Sequence, residues 1–198
     1  MPPAKEHAAS GKRLRTARAI QQATLQLATE HGYHAVTTDM IAERAGISRR
    51  TFFNHYQNKQ DAIVGPKVDR FGQAYDWFVT SDGGLLSDLQ ILVRQVVAEA
   101  SPDPSVIRNI GKVLGDSPDL QPVFSATIAN LTRELEPLLS RRLGTEREPV
   151  AHLIAHLVSQ AIAHSFRDWT VDNETALEQV VEKANSNIRF VVQTLGPG

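Results

Sequence analysis

Gly46 stands between two short runs of apolar residues at helical spacing, and this constrains the fold more than any other feature of the sequence. Before it, Ile41, Ala42 and Ala45 form one stripe. After it, Phe52 and Tyr56, four residues apart, share a face. Thr37 and Ser48 are placed to N-cap the two helices, each hydroxyl accepting an otherwise unpaired backbone N–H. Asp39 falls in the first turn, where the helix dipole favours negative charge. A glycine directly after Ala45 supplies the left-handed residue on which a helix can stop. The pattern predicts a helix-turn-helix whose second helix runs from Arg49 to about Tyr56 and turns Arg49, Arg50 and Asn54 away from its apolar face.

Those outward side chains suit DNA. An arginine fork can donate bidentately to guanine O6 and N7 in the major groove, a contact worth about 1–3 kcal/mol of discrimination, and an asparagine carries the donor and acceptor that adenine requires. Charge follows the motif. Residues 1–60 hold nine Lys/Arg against four Asp/Glu, whereas residues 61–198 hold twelve against eighteen, so a basic head precedes an acidic body. Such an asymmetry fits a polyanion-binding module joined to a segment with a different task.

The rest of the chain predicts an all-α protein of about nine helices, with no strand-like alternation. Residues 1–11, rich in Pro and Ala, read as a disordered arm. Lys12, Arg13, Arg15 and Arg18 lead into a first helix ending at His31, where Ile20, Ala23, Thr24, Leu27 and Ala28 make one face. After Asn58 and Asp61, which frame a helix start, the pattern continues to about Thr80, kinked or interrupted at Gly65-Pro66. Helices are then expected over 85–100, 106–114, 120–142 (bent or ended at Pro137), 150–169 and 177 to the C-terminus. The domain reading is an arm (1–11), a three-helix head that carries the helix-turn-helix (12–60) and a larger helical body (61–198), to which the resemblance described below assigns effector binding and dimerisation.

Composition and motifs exclude several other functions. The chain has no cysteine, which removes disulfides and thiolate metal sites and suits a reducing cytosol. No apolar run approaches a bilayer span, so a cytoplasmic protein with no membrane partner is expected. The sequence carries no phosphate loop, nucleophile elbow, HExxH or zinc spacing, and no catalytic residue, metal or cofactor is assigned. His152 and His156 have metal-ligand spacing but fall opposite the Val150–Ile162 stripe and read as a solvated face.

The order Thr37, Ile41-Ala42, Ala45-Gly46-Ile47-Ser48, Thr51, His55-Tyr56, Lys59, preceded by Gly32-Tyr33 and followed by Asp61-Ala62-Ile63, resembles the DNA-binding segment of TetR-family (AcrR-type) repressors. The resemblance covers about the first third of the chain in motif detail. It implies a homodimeric regulator that binds a pseudo-palindromic duplex operator and is released by a small, lipophilic effector. It implies DNA contacts at Thr37, Thr38, Ser48, Arg49, Arg50, Thr51, Asn54, His55 and Lys59, the last meeting a phosphate. It also implies an effector pocket in the body, for which Tyr75, Phe78, Arg108, Phe124, His164 and Trp169 are candidates. The last two helices are expected to pair with their copies through Leu153, Leu157, Ala161, Val180, Ala184, Ile188 and Val191.

Three positions depart from the family pattern. Phe53 replaces a tyrosine, losing a hydroxyl–phosphate contact. Asp39 stands where a basic or polar residue often faces DNA, and it reads as a capping or dipolar residue in preference to a base contact. Ala28 replaces a phenylalanine, and Phe52 with Phe53 would fill the missing volume. Two other readings compete: a helical small-molecule-binding or catalytic protein whose helix-turn-helix is only structural, and a TetR-like regulator controlled by a protein partner.

Overall fold

The structure, a computed structural model, describes residues 4–66, 73–100, 103–171 and 177–195. Among these residues the chain forms ten α-helices, α1 Ala4–His31, α2 Thr38–Arg44, α3 Arg49–His55, α4 Lys59–Val64, α5 Asp76–Thr80, α6 Leu85–Ala100, α7 Pro104–Asp116, α8 Gln121–Leu143, α9 Glu148–Val171 and α10 Leu177–Leu195. Short 3-10 turns lie at Tyr33–Ala35, Gln73–Tyr75, Pro118–Leu120 and Thr145–Arg147. No strand occurs among the described residues.

Two compact units divide the chain, Met1–Val68 with Ser105–Phe124, and Asp69–Pro104 with Ser125–Gly198. The unit that holds the helix-turn-helix therefore reaches beyond a boundary at residue 60. Its core gathers Ile20, Leu25 and Leu27 of α1, Ile41, Phe52, Tyr56 and Ile63, and adds Val113, Leu114 and Leu120 from the later segment. At about 25 cal/mol per Å² of apolar surface removed from water, such burial is the main force holding short helices that would not persist alone.

Local chemistry explains where these helices stop and start. Thr37 Oγ1 accepts from Met40 N at 3.2 Å, Ser48 Oγ from Thr51 N at 3.1 Å, and Asn58 Oδ1 from Asp61 N at 2.8 Å. At the end of α2, Ile47 N donates to Ala42 O and Gly46 N to Glu43 O, with Gly46 at φ +65°. This paired closure needs the left-handed backbone that glycine adopts without a Cβ penalty.

Several expectations are corrected. The stretch read as a disordered arm is helical from Ala4, in keeping with the high helix propensity of its alanines. Of the two outcomes expected at Gly65-Pro66 the structure shows the interruption: the helix begun at Lys59 stops at Val64 because Gly65 takes φ +94°, and Pro66 follows with no N–H to donate. A Cβ on Gly65 would collide with the side-chain amide of Gln21, whose Nε2 donates to Ile63 O at 3.1 Å. Pro137 does not end α8, which continues to Leu143. Phe53 is exposed and fills no volume beside Ala28; Phe52 alone enters that core.

In the second unit, α6, α8, α9 and α10 enclose a core of Leu89, Leu92, Val93, Val97, Leu135, Leu139, Ala155, Ile162 and Val181, with Tyr75 and Phe78 at one end. Arg142 closes that end. Its guanidinium donates to Phe78 O at 2.7 Å, Gly83 O at 2.8 Å and Asp88 Oδ2 at 2.6 Å, with only 9% of either charged side chain exposed.

The faces of α9 and α10 differ from expectation. Ala161, Val180, Ala184 and Ile188 are buried within the chain itself, because α9 and α10 pack on each other. Leu157 and Val191 are half-buried. The apolar side chains left open to solvent are Val150 and Leu153 on α9 and Phe190, Val192 and Leu195 on α10. Helical spacing defines a stripe but does not say which neighbour covers it.

Candidate nucleic-acid interface

The surface of α3 is built by division of labour around the helix. Phe52 is fully buried, and Tyr56, the residue that caps the helix, is nearly so. Tyr56 Oη donates to Ala17 O at 3.0 Å, and burial holds its phenol pKa above the ordinary value, so it stays a neutral donor. With that side anchored to α1, Arg49, Arg50, Phe53 and Asn54 are exposed together. Thr37 and Ser48 are exposed at the starts of α2 and α3, while Thr38 and Thr51 are half-buried. Ser48 Oγ and Thr51 Oγ1 are 2.9 Å apart, so both hydroxyls are engaged in the cap.

The two arginines that open α3 differ in their surroundings. Arg49 Nη1 lies 3.4 Å from Asp39 Oδ2, and its guanidinium carbon is 5.7 Å from the centroid of the Phe53 ring. Among the described residues no carboxylate pairs with Arg50. Arg13 of α1 reaches the far end of α3, donating to Asn54 O at 3.4 Å. His55, half-buried there, has its pKa lowered, first by burial and then by the Arg13 charge, which leaves it neutral at neutral pH.

Lys59 does not face outward as a phosphate ligand would. Its Nζ donates to Tyr33 O and Val36 O, each at 2.9 Å, and to His34 O at 3.4 Å, and sits 4.2 Å from the centroid of the Tyr33 ring. Partial burial lowers its pKa. The ammonium therefore gathers three carbonyls of the turn after α1, one of which, Tyr33 O, also accepts from Val36 N, and fixes that turn to the start of α4. The nine predicted contact residues thus fall into an outward group and a supporting group, with Lys59 in the second. Asp39, Phe53 and Arg13 complete the surface. Phe53 could have been suspected from its spacing, since i and i+4 place it beside Arg49.

The candidate pocket residues do not form one group. Tyr75 and Phe78 are core residues of the second unit. Phe124 packs against the core of the first. Arg108 and His164 are exposed, and the side chain of Trp169 lies outside the described residues. The His152 and His156 rings lie tilted to each other at 4.5 Å between centroids, and Glu136, a carboxylate the sequence did not place there, lies 3.1 Å from His152 Nδ1. No described helix is long and apolar enough to cross a membrane.

Comparison with known proteins bears on the same segment. Residues 20–62 match the family model for bacterial regulatory proteins of the tetR family. Over 74 residues the chain is 42% identical to the uncharacterized HTH-type transcriptional regulator YvkB of Bacillus subtilis, a match spanning 37% of this chain and 39% of YvkB. It is 24% identical over 173 residues to MftR of Mycobacterium tuberculosis, covering 84% of this chain and 87% of that one. Among solved structures it is similar to the transcriptional regulator FadR from Bacillus subtilis in complex with stearoyl-CoA, with a TM-score of 0.55 at 15% identity, covering 90% of this chain and 98% of FadR.

Proposed function

We propose, from the match of residues 20–62 to the tetR-family model, that the chain is a TetR-family homodimeric repressor released from its operator by a small lipophilic effector. One observation carries the DNA side of this reading: α3 buries Phe52 and Tyr56 and leaves Arg49, Arg50 and Asn54 exposed on one short helix. In this reading α3 enters the major groove, the two arginines and Asn54 meet base edges, and the hydroxyls of Thr37, Thr38, Ser48 and Thr51 with His55 lie near the backbone. Lys59 supports the turn beneath and does not touch DNA.

The dimer is proposed on the exposed apolar side chains of α9 and α10. Leu153 is 67% exposed and Phe190 69% exposed, and a second copy covering them together with Val150 and Leu195 would remove that surface from water. Two heads related by a twofold axis require an operator with inverted symmetry. The effector is proposed to be lipophilic because FadR, which shares the fold, was solved with stearoyl-CoA. Such a ligand weakens DNA binding only as far as it prefers the arrangement of heads that misses the half-sites.

The test is binding of the pure protein to a tiled DNA library of its own upstream region, with affinity followed against salt. The reading requires a selective site with inverted symmetry and a steep salt slope. Weak binding with no preference, persisting after ligand is stripped by unfolding and refolding, refutes it. A thermal-shift screen of acyl-CoAs and other lipophilic compounds tests the effector, which should raise the melting temperature and release the operator.

A further inference from the structure

Two independent contacts hold one of the two arginines at the head of α3. Asp39, in the first turn of α2, places Oδ2 3.4 Å from Arg49 Nη1, and the Phe53 ring lies one helical turn along from Arg49 with its centroid 5.7 Å from the guanidinium carbon. The carboxylate, the guanidinium and the ring are all exposed. An ion pair this open to water adds little to stability. A carboxylate on the surface that approaches a polyanion also weakens binding to every sequence alike. Its place in the first turn of α2 adds only the small helix-dipole stabilisation that any acidic residue there would supply, so the effect of Asp39 on Arg49 is its distinctive consequence. With Nη1 turned to Asp39, the guanidinium keeps donors on Nη2 and Nε, a parallel pair that fits a guanine edge.

Resting on the reading of α3 as the groove-facing helix, we propose that Asp39 is a specificity-determining residue that acts through Arg49. It holds the fork beside Phe53 and away from the phosphates, so that Arg49 reads a guanine and Phe53 meets the methyl group of a neighbouring thymine. The arginine's charge is partly neutralised in the unbound protein, so DNA without that guanine gains little from it. The residue that departs from the family's usual basic or polar side chain thereby trades general affinity for selectivity.

The experiment uses the full chain as wild type, Asp39→Ala, Asp39→Glu, Arg49→Ala and the Asp39→Ala/Arg49→Ala double variant. Each is selected against a pool of random duplexes, and affinity for the selected and for an unrelated duplex is followed against salt. Asp39→Ala should bind the unrelated duplex more tightly, with a salt slope steeper by about one. It should lose about 5–100-fold of preference at one base pair of each half-site. Arg49→Ala should lose preference at that same pair, Asp39→Glu should recover part of it, and in the Arg49→Ala background Asp39→Ala should change no base preference.

An Asp39→Ala protein with wild-type preference overturns the proposal. So does a preference change that persists in the Arg49→Ala background, which would make Asp39 a direct reader of cytosine. A fall in melting temperature that tracks the loss of selectivity would make it a residue of the fold and overturn it equally. If the wild type itself selects no sequence, the DNA-binding reading fails, and this inference with it. A selective wild type beside an unchanged Asp39→Ala removes only the inference.

Discussion

Replacing Arg142 with methionine, which keeps most of the aliphatic volume and removes the charge, should be among the most damaging single changes in the second unit. Three acceptors lose their donor at once: Phe78 O at 2.7 Å, Gly83 O at 2.8 Å and Asp88 Oδ2 at 2.6 Å. The carboxylate is left 9% exposed with no cation beside it. Breaking a buried pair from one side costs about 3–5 kcal/mol, because the remaining charge stays desolvated. For a chain of this size that corresponds to a fall in melting temperature of roughly 6–20 °C. Asp88→Asn should cost less, about 1–3 kcal/mol, since Arg142 keeps both carbonyls and the amide can still accept. Arg142→Lys should fall between them, because an ammonium cannot span three acceptors set around a planar fork. Thermal and urea unfolding followed by circular dichroism would measure the order Arg142→Met, Arg142→Lys, Asp88→Asn. A loss below about 1 kcal/mol for Arg142→Met, or a larger loss for Asp88→Asn, would refute the assignment of this pair as the closure of the core.

Lys59→Met should destabilise the head by about 1–3 kcal/mol and weaken DNA binding in proportion, because its ammonium serves Tyr33 O and Val36 O. A loss of affinity with unchanged melting temperature would show that it meets phosphate after all. Gly65→Ala should destabilise through both the clash with Gln21 and the left-handed backbone, and Gln21→Ala in addition should relieve only the first. Denaturant midpoints of the single and double variants measure the two parts; full recovery in the double variant would contradict the backbone part. The His55 pKa is lower in the folded head than in the unfolded chain, so below pH 6.5 the unfolded chain binds more protons and stability falls as pH drops further, through the folded pKa. His55→Gln should flatten that slope in melting temperature against pH, and an unchanged slope would assign it to other groups.

Much of the head could be read in advance because its determinants are local. Thr37, Ser48 and Asn58 cap helices that begin within a residue of where the spacing put them, and Gly46 takes the left-handed conformation its position called for. The stripe Leu89, Leu92, Val93, Val96 and Val97 likewise marks a helix whose apolar side is buried. What escaped the sequence was non-local. Spacing cannot tell that Val180, Ala184 and Ile188 face their own chain while Phe190 does not, because both sets fit a helix. It cannot tell that Lys59 bends back to carbonyls 23 to 26 residues earlier. The departures from family pattern at Asp39 and Phe53 were visible as residues, but their convergence on Arg49 required two helices to be placed in space.

The core of the head includes Val113, Leu114 and Leu120, and the Asp119 carboxylate lies 3.4 Å from His34 Nε2 across 85 residues of sequence. The first unit therefore cannot finish folding as it is synthesised. When residue 68 has been added, its apolar surface still lacks the side chains that complete it, and at about 5–20 residues per second those arrive roughly 3–10 s later. A fragment ending near residue 68 would expose that surface permanently and should aggregate or bind chaperones. During translation the nascent helix-turn-helix is exposed to the same hazard for seconds, and its maturation is set by the ribosome's progress through the segment that follows.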